Sequence, residues 1–185
     1  MDKTERIILG IDPGTNIMGF GVITSTGKNP EYHDMGVLDI RKVSDQYLKL
    51  KKIFDTTIEL IDKYNPDELA IEAPFYGKNV QSMLKLGRAQ GVAISAALTR
   101  DIPVFEYAPR KIKLAIAGVG QASKEQVSIM LEKMFSIKDM PKNFDATDGL
   151  AVAVCHFYEK SPGQKKPGVK NWEDFISKNP NRVKK

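Results

Sequence analysis

Ile7-Ile8-Leu9-Gly10-Ile11-Asp12-Pro13-Gly14 is the stretch on which the fold turns, because it places one carboxylate at the end of what otherwise reads as a buried strand. Ile7 to Ile11 is a near-continuous apolar run, and Val22-Ile23 resumes one after Gly19-Phe20-Gly21. The segment therefore reads as a β-hairpin at the edge of a central sheet. An unpaired Asp12 in such a place is costly. Asp-Pro-Gly-Thr is also good turn chemistry, so a plain turn aspartate is the competing reading. The other carboxylates weigh against it. Glu72 follows Leu69-Ala70-Ile71 at the end of a second short apolar strand, and Asp145 and Asp148 open an apolar helix. Three separate elements thus bring carboxylate to a sheet edge, which is how a divalent-cation site for phosphate chemistry is assembled.

Strands are expected over 7–12 and 19–25, with a third near 31–40. Short turns such as Gly27-Lys28-Asn29-Pro30 join them into an antiparallel meander. A helix is expected over 44–64, with Leu48, Ile53, Ile58 and Ile61 as its apolar positions and Asn65-Pro66 ending it. A strand over 69–72, a Pro74-Phe75-Tyr76-Gly77 loop and a long helix over 80–98 follow. Residues 103–107 form a fifth strand, Pro109 begins another helix, and 123–134 and 145–158 give two more. A meander followed by parallel strands separated by helices is a mixed-sheet α/β layout.

With 185 residues, 42% of them apolar, the chain is long enough for one well-filled core. Residues 1–160 are read as that domain and 161–185 as a basic tail. No apolar run approaches the roughly 20 residues needed to cross a bilayer, and no cleavage-site pattern precedes the first strand, so a cytoplasmic location is expected. Cys155, the one cysteine, lies in an apolar run and is assigned to core packing. The net charge of +5 is uneven. Eight Lys or Arg and two acids fall from Lys160 onward, leaving 20 bases and 21 acids in residues 1–159. Net charge alone does not announce a nucleic-acid binder, but two clusters do better. Lys78, Lys85 and Arg88 stand in an acid-free stretch, and Arg110, Lys111 and Lys113 form a second group; a solvated helix face is the alternative for each.

In Asp145-Ala146-Thr147-Asp148 the i,i+3 spacing puts both carboxylates on one helix face. Helix capping accounts for Asp145 but less well for Asp148. The rest of that helix is almost wholly apolar, so its polar first turn must point to where Asp12 and Glu72 emerge. Four converging carboxylates repel unless cations neutralise them, and Mg²⁺ suits an all-oxygen donor set. The Ala117-Gly118-Val119-Gly120-Gln121-Ala122-Ser123 loop reads either as an interhelical turn or as a phosphate cradle with Lys124 in the first turn of the next helix. Ser123 and Gln126 form a capping box in either case. In the tail, Trp172 and Phe175 interrupt a polar composition and suit a short docking turn, with a solubilising end as the alternative.

The sequence resembles the RuvC-type crossover junction endodeoxyribonucleases, the Holliday junction resolvases. The resemblance runs through residues 7–14 with Gly19-Phe20-Gly21-Val22-Ile23, through Ala70-Ile71-Glu72 with Phe75, through Lys78-Asn79 and Leu84 to Ala93, through Pro103 to Ala108, and through Asp145 to Ala151. It implies a ribonuclease H-like fold with a five-stranded mixed sheet flanked by helices. It also implies a hydrolase acting in DNA recombination and repair, with Asp12, Glu72, Asp145 and Asp148 as catalytic metal ligands. Two Mg²⁺ per site are implied, with Mn²⁺ able to substitute. Lys113 and Lys124 map onto basic positions that touch the junction backbone and are read as catalytic as well as DNA-binding, and Phe75 onto the aromatic that lies against a base at the crossover. The resemblance further implies four-way junction DNA as substrate, a homodimer formed through the helix over 80–98, and a RuvA–RuvB branch-migration complex as partner. Paired symmetric nicks with 5′-phosphate and 3′-hydroxyl ends are the implied products. An actin-like phosphotransferase shares the opening hairpin but needs a second similar domain. A non-catalytic junction-binding module is favoured by loss of an acid, and all four acids are present.

Overall fold

The computed structural model describes residues 5–27, 29–74, 79–141 and 143–160. Five strands form one sheet in the order β3-β2-β1-β4-β5: β1 (Arg6–Asp12), β2 (Ile17–Ser25), β3 (Glu31–Asp39), β4 (Glu68–Glu72) and β5 (Val104–Tyr107). The β1–β2 and β2–β3 pairs are antiparallel, whereas β4 lies parallel to both β1 and β5. This is the mixed sheet of the ribonuclease H-like fold expected from the sequence. One expectation is corrected. The β1–β2 hairpin does not lie at the sheet edge, because β4 occupies the other side of β1 and makes β1 the central strand. Ile8, Leu9 and Ile11 are accordingly fully buried. Strand β2 also starts two residues early, since Ile17 and Met18 pair with Asp39 and Leu38 of β3.

Strand alternation divides the core into two layers. Leu9, Ile11, Leu69 and Ile71 face α1 (Gln46–Tyr64) and α2 (Val80–Leu98). Ile8 and Ala70 face the other side, packing with α3 (Pro109–Ala117), α4 (Lys124–Phe135) and the apolar run of α5 (Phe144–Lys160). Local chemistry sets the helix ends. Asp45 caps α1 by accepting from the Leu48 N–H at 2.8 Å, and Asn65 closes it in the left-handed region. The capping box of Ser123 and Gln126 is present at the start of α4. Among the described residues no helix is long and apolar enough to cross a membrane, and Cys155 is buried.

Helix α5 lies backbone to backbone on the sheet, and glycines on both surfaces make this possible. A Cβ at Gly19 would stand 1.8 Å from the Asp145 carbonyl oxygen, and one at Gly21 2.3 Å from the Leu150 Cα. One at Gly10 would stand 2.3 Å from the Gly149 carbonyl oxygen, and one at Gly149 2.5 Å from the Phe20 Cα. Only hydrogen fits at these contacts. Farther along α5, His156 is fully buried, with Nε2 2.9 Å from Glu68 Oε2 and Nδ1 2.6 Å from the Tyr107 hydroxyl. Arg6 pairs with the same Glu68 carboxylate.

Candidate active site

Asp12 and Glu72 are the last residues of β1 and β4. These strands run parallel with Ile11 opposite Ile71, so the two acids emerge side by side at one end of the sheet. Alternation puts Asp12 on the same face as Gly10, and Glu72 on the same face as Ala70, which is the face that α5 covers. The N-terminal turn of α5 then supplies Asp148 and Asp145. Asn143, not Asp145, caps this helix: its side-chain oxygen accepts from the Asp145 N–H at 3.0 Å. Both aspartate side chains are left free to face the sheet end.

Asp12, Glu72, Asp148, Lys113 and Lys124 line one cavity of about 80 Å³, floored by Ile112, Val127 and Ala151. Asp145 stands at its margin, joined through Lys124, whose Nζ lies 2.5 Å from Asp148 Oδ2 and 3.5 Å from Asp145 Oδ1. Burial drives the Asp12 carboxyl up to about 7, helped by the charge of Asp148 and opposed by that of Lys124. Burial and the neighbouring Asp12 drive Glu72 up to about 8. Asp148 is also raised by burial, against the hydrogen bond from Lys124. Burial disfavours the Lys124 charge, but the Asp148 hydrogen bond and the charges of Asp148, Asp145 and Asp12 outweigh it and raise the ammonium to about 12. The pocket is thus an electrostatic sink for cations, and its acid donors are all oxygen, the donor set preferred by Mg²⁺ or Mn²⁺. Among the described residues no three carboxylates, histidines or cysteines close up into a ready-made metal cluster.

The remaining predicted residues fall in several places. Arg110 and Lys113 border a wider cleft of about 560 Å³, shared with Ala73, Pro74 and Gly120, that opens beside the acids. Lys111 is turned to Glu159 at 3.0 Å and lies over the Tyr107 ring. Lys85 and Arg88 are exposed on α2 and do not line the acidic cavity. Phe75 and Lys78, and with them the Pro74-Phe75-Tyr76-Gly77 loop reading, lie outside the described residues, as do Trp172, Phe175 and the rest of the 161–185 tail. The Gly118 loop takes the form of an interhelical turn. Gly118 is left-handed at φ 72° and donates its N–H to Leu114, while the Ala122 N–H goes to Val119. Gly120 makes room for the Arg110 side chain, whose Cγ lies 2.7 Å from where a Cβ would stand.

Sequence reasoning missed the glycine seat of α5, although its signal was present in Gly10 and the Gly19-Phe20-Gly21 pair. It also missed the His156, Glu68 and Tyr107 network. There the signal was one polar residue inside an apolar helical run.

Acids delivered by two parallel strand ends and one glycine-seated helix, with lysines closing the rim, define a metal-dependent nuclease of ribonuclease H-like fold. A sequence profile of the family "Crossover junction endodeoxyribonuclease RuvC" matches residues 8–156. The protein of that name from Bacteroides fragilis is 61% identical over 182 residues, covering 97% of each chain. Its counterpart from Porphyromonas gingivalis is 56% identical, with 100% of both chains covered. The solved structure of Thermus thermophilus RuvC in complex with a Holliday junction substrate superposes with a TM-score of 0.76 at 29% identity, covering 83% of this chain and 94% of that one. The chain belongs to the RuvC family of crossover junction endodeoxyribonucleases.

Proposed function

We propose that this chain resolves four-way DNA junctions by paired, symmetric nicks, with Asp12, Glu72, Asp145 and Asp148 holding two Mg²⁺ ions. The observation that carries the reading is the meeting of Asp12, Glu72 and Asp148 with Lys113 and Lys124 around one cavity. The acids have two ordinary alternatives, a turn at Asp12 and a cap at Asp145. Neither explains why carboxylates from three elements share one half-buried site. Bound there, the ions supply Lewis-acid polarisation of the scissile phosphate and an acidified water. Mn²⁺ fits the same oxygen donors.

The residues of the chain divide the remaining work. Asp12 has Glu72 beside it along the strand ends and Asp148 across from it on α5, so it is placed to share ligation with both. Lys113, whose charge acts on Glu72 and Asp148, meets the negative charge that builds on the phosphate. Arg110, beside Lys113 in the wider cleft, holds the adjoining backbone. Water adds to phosphorus and the bond to the 3′-oxygen breaks, leaving a 5′-phosphate and a 3′-hydroxyl. Sequence-independent backbone contacts of this kind leave selection to junction shape.

A C₂ dimer supplies the two sites that paired nicks need. Helix α2 supports one: Val80 is 62% exposed and Leu84 53% exposed, and a Cβ at Gly87 or Gly91 meets nothing within 4 Å. Phe75 is assigned to stacking at the crossover, Lys78, Lys85, Arg88 and Lys111 to outlying backbone, and residues 161–185 to a basic appendage of the 1–160 nuclease domain. The setting is cytoplasmic, alongside a RuvA–RuvB branch-migration complex. The test is a mobile synthetic four-way junction incubated with Mg²⁺. Two nicked duplexes with symmetric cuts are expected, with linear duplex left intact; equal cutting of linear duplex overturns the reading.

A further inference from the structure

We propose that Lys124 is a built-in counter-cation that occupies the Asp148 and Asp145 carboxylates until a DNA phosphate draws it away, so that substrate binding and metal loading are coupled. The inference rests on the assignment of these acids as metal ligands. Lys124 is the first residue of α4, and the Ser123 capping box fixes where its stem begins. Its ammonium reaches Asp148 Oδ2 at 2.5 Å and Asp145 Oδ1 at 3.5 Å, two of the three bonds such a group can donate. An ion taking the same Asp148 oxygen must share it with this ammonium or displace it. Displacement is sterically open, because the Lys124 side chain is 51% exposed and its stem is flexible, whereas the Asp148 side chain is 14% exposed and held on α5. The acid stays and the lysine moves.

Lys113 provides the contrast. It lines the same cavity but makes no ion pair with any of the four carboxylates. Its removal changes the local charge by the same amount without freeing a carboxylate oxygen. In the DNA-free protein, metal must therefore compete with Lys124 and not with Lys113. Once a phosphate reaches the mouth of the acidic cavity, Lys124 gains a second anionic partner on its exposed side, and the acids are released to metal. Reciprocity then requires metal to tighten DNA binding by the factor with which DNA tightens metal binding.

The test uses the full-length protein and Ca²⁺. Calorimetric titration of the DNA-free protein should show Lys124→Gln binding Ca²⁺ at least tenfold more tightly than wild type. Lys113→Gln should gain less than threefold, and Lys124→Arg, which keeps the cation, should stay near wild type. In fluorescence anisotropy at constant ionic strength, Ca²⁺ should tighten four-way junction binding by wild type about tenfold and by Lys124→Gln less than threefold. Equal Ca²⁺ affinity of Lys124→Gln and wild type, or equal gains from Lys124→Gln and Lys113→Gln, overturns the proposal. Wild-type protein that cuts junctions normally while showing either result refutes the gate alone. Failure of wild type to cut junctions refutes the resolvase reading, and the DNA-free titration still decides the competition.

Discussion

Gly19→Ala isolates the device that places half of the site. The added Cβ would sit 1.8 Å from the Asp145 carbonyl oxygen, and essentially no real Cβ contact is shorter than 3.0 Å. Because the opposing atom belongs to backbone, relief requires the start of α5 to retreat from β2 by more than about 1 Å, with no side chain able to yield instead. Overpacking of this kind costs about 1–3 kcal/mol, which for a domain of this size lowers the melting temperature by roughly 2–12 °C. The larger effect is on chemistry. Asp145 and Asp148 ride on the displaced turn while Asp12 and Glu72 remain on the sheet, and a misplacement of ~1 Å in a catalytic constellation costs on the order of 100-fold in rate. Junction cleavage under single-turnover conditions, alongside thermal melting and junction binding in Ca²⁺, separates the two effects. Slow cleavage by a folded protein that still binds junctions is expected. Wild-type cleavage and melting would refute the claim that glycine seating sets the position of the α5 acids.

Three further outcomes are expected. Asp12 and Glu72 have folded-state pKa values raised above those of the unfolded chain, so the native state binds more protons between about pH 4 and their raised values of about 7 and about 8. The stability these groups permit is complete below their unfolded pKa values and is lost as pH rises through the folded ones. Melting of the metal-free protein should therefore fall from pH 5 to pH 8, more steeply than for the Asp12→Asn/Glu72→Gln double variant, and Mg²⁺ should restore the loss at pH 8. Leu84→Glu, on the exposed strip of α2, should leave a folded monomer by analytical ultracentrifugation and abolish paired cutting; an unchanged dimer removes α2 from the interface. Lys113→Ala should slow cleavage about tenfold or more, while Lys184→Ala, in the basic tail, should change it less than twofold in the same assay, since Lys113 lines the acidic cavity where negative charge develops; equal effects reduce both to bulk attraction.

The sheet was legible because its strands carry apolar runs ending at turn residues, and the helices because Asn65-Pro66 and Ser123-Gln126 mark their ends. The acids were legible for a related reason: Asp12, Glu72 and Asp148 are charges set against apolar surroundings, which sequence exposes directly. Pairing order was not legible. Ile7 to Ile11 reads the same in an edge strand as in a central one, and only the parallel docking of β4 makes β1 central. Close backbone approach was hidden for a similar reason, since Gly10, Gly19, Gly21 and Gly149 acquire meaning only once two elements are brought together. Ion pairs distant in sequence, such as Lys124 with Asp148, depend on how α4 packs against α5, and periodicity carries no information on that.

If the four carboxylates hold metal for cleavage and do not bind DNA themselves, one paired measurement on Asp12→Asn separates the two functions. The substitution removes a charge from the lining of the half-buried cavity with little change of shape. Junction affinity in EDTA, where no divalent ion contributes, should remain within about threefold of wild type, because attraction to the backbone resides in the lysines and arginines, while single-turnover cleavage in Mg²⁺ should fall by at least about 1000-fold, as expected for loss of a metal ligand at the reacting phosphate. Cleavage by Asp12→Asn at the wild-type rate, with binding intact, would show that Asp12 holds no metal needed for the reaction.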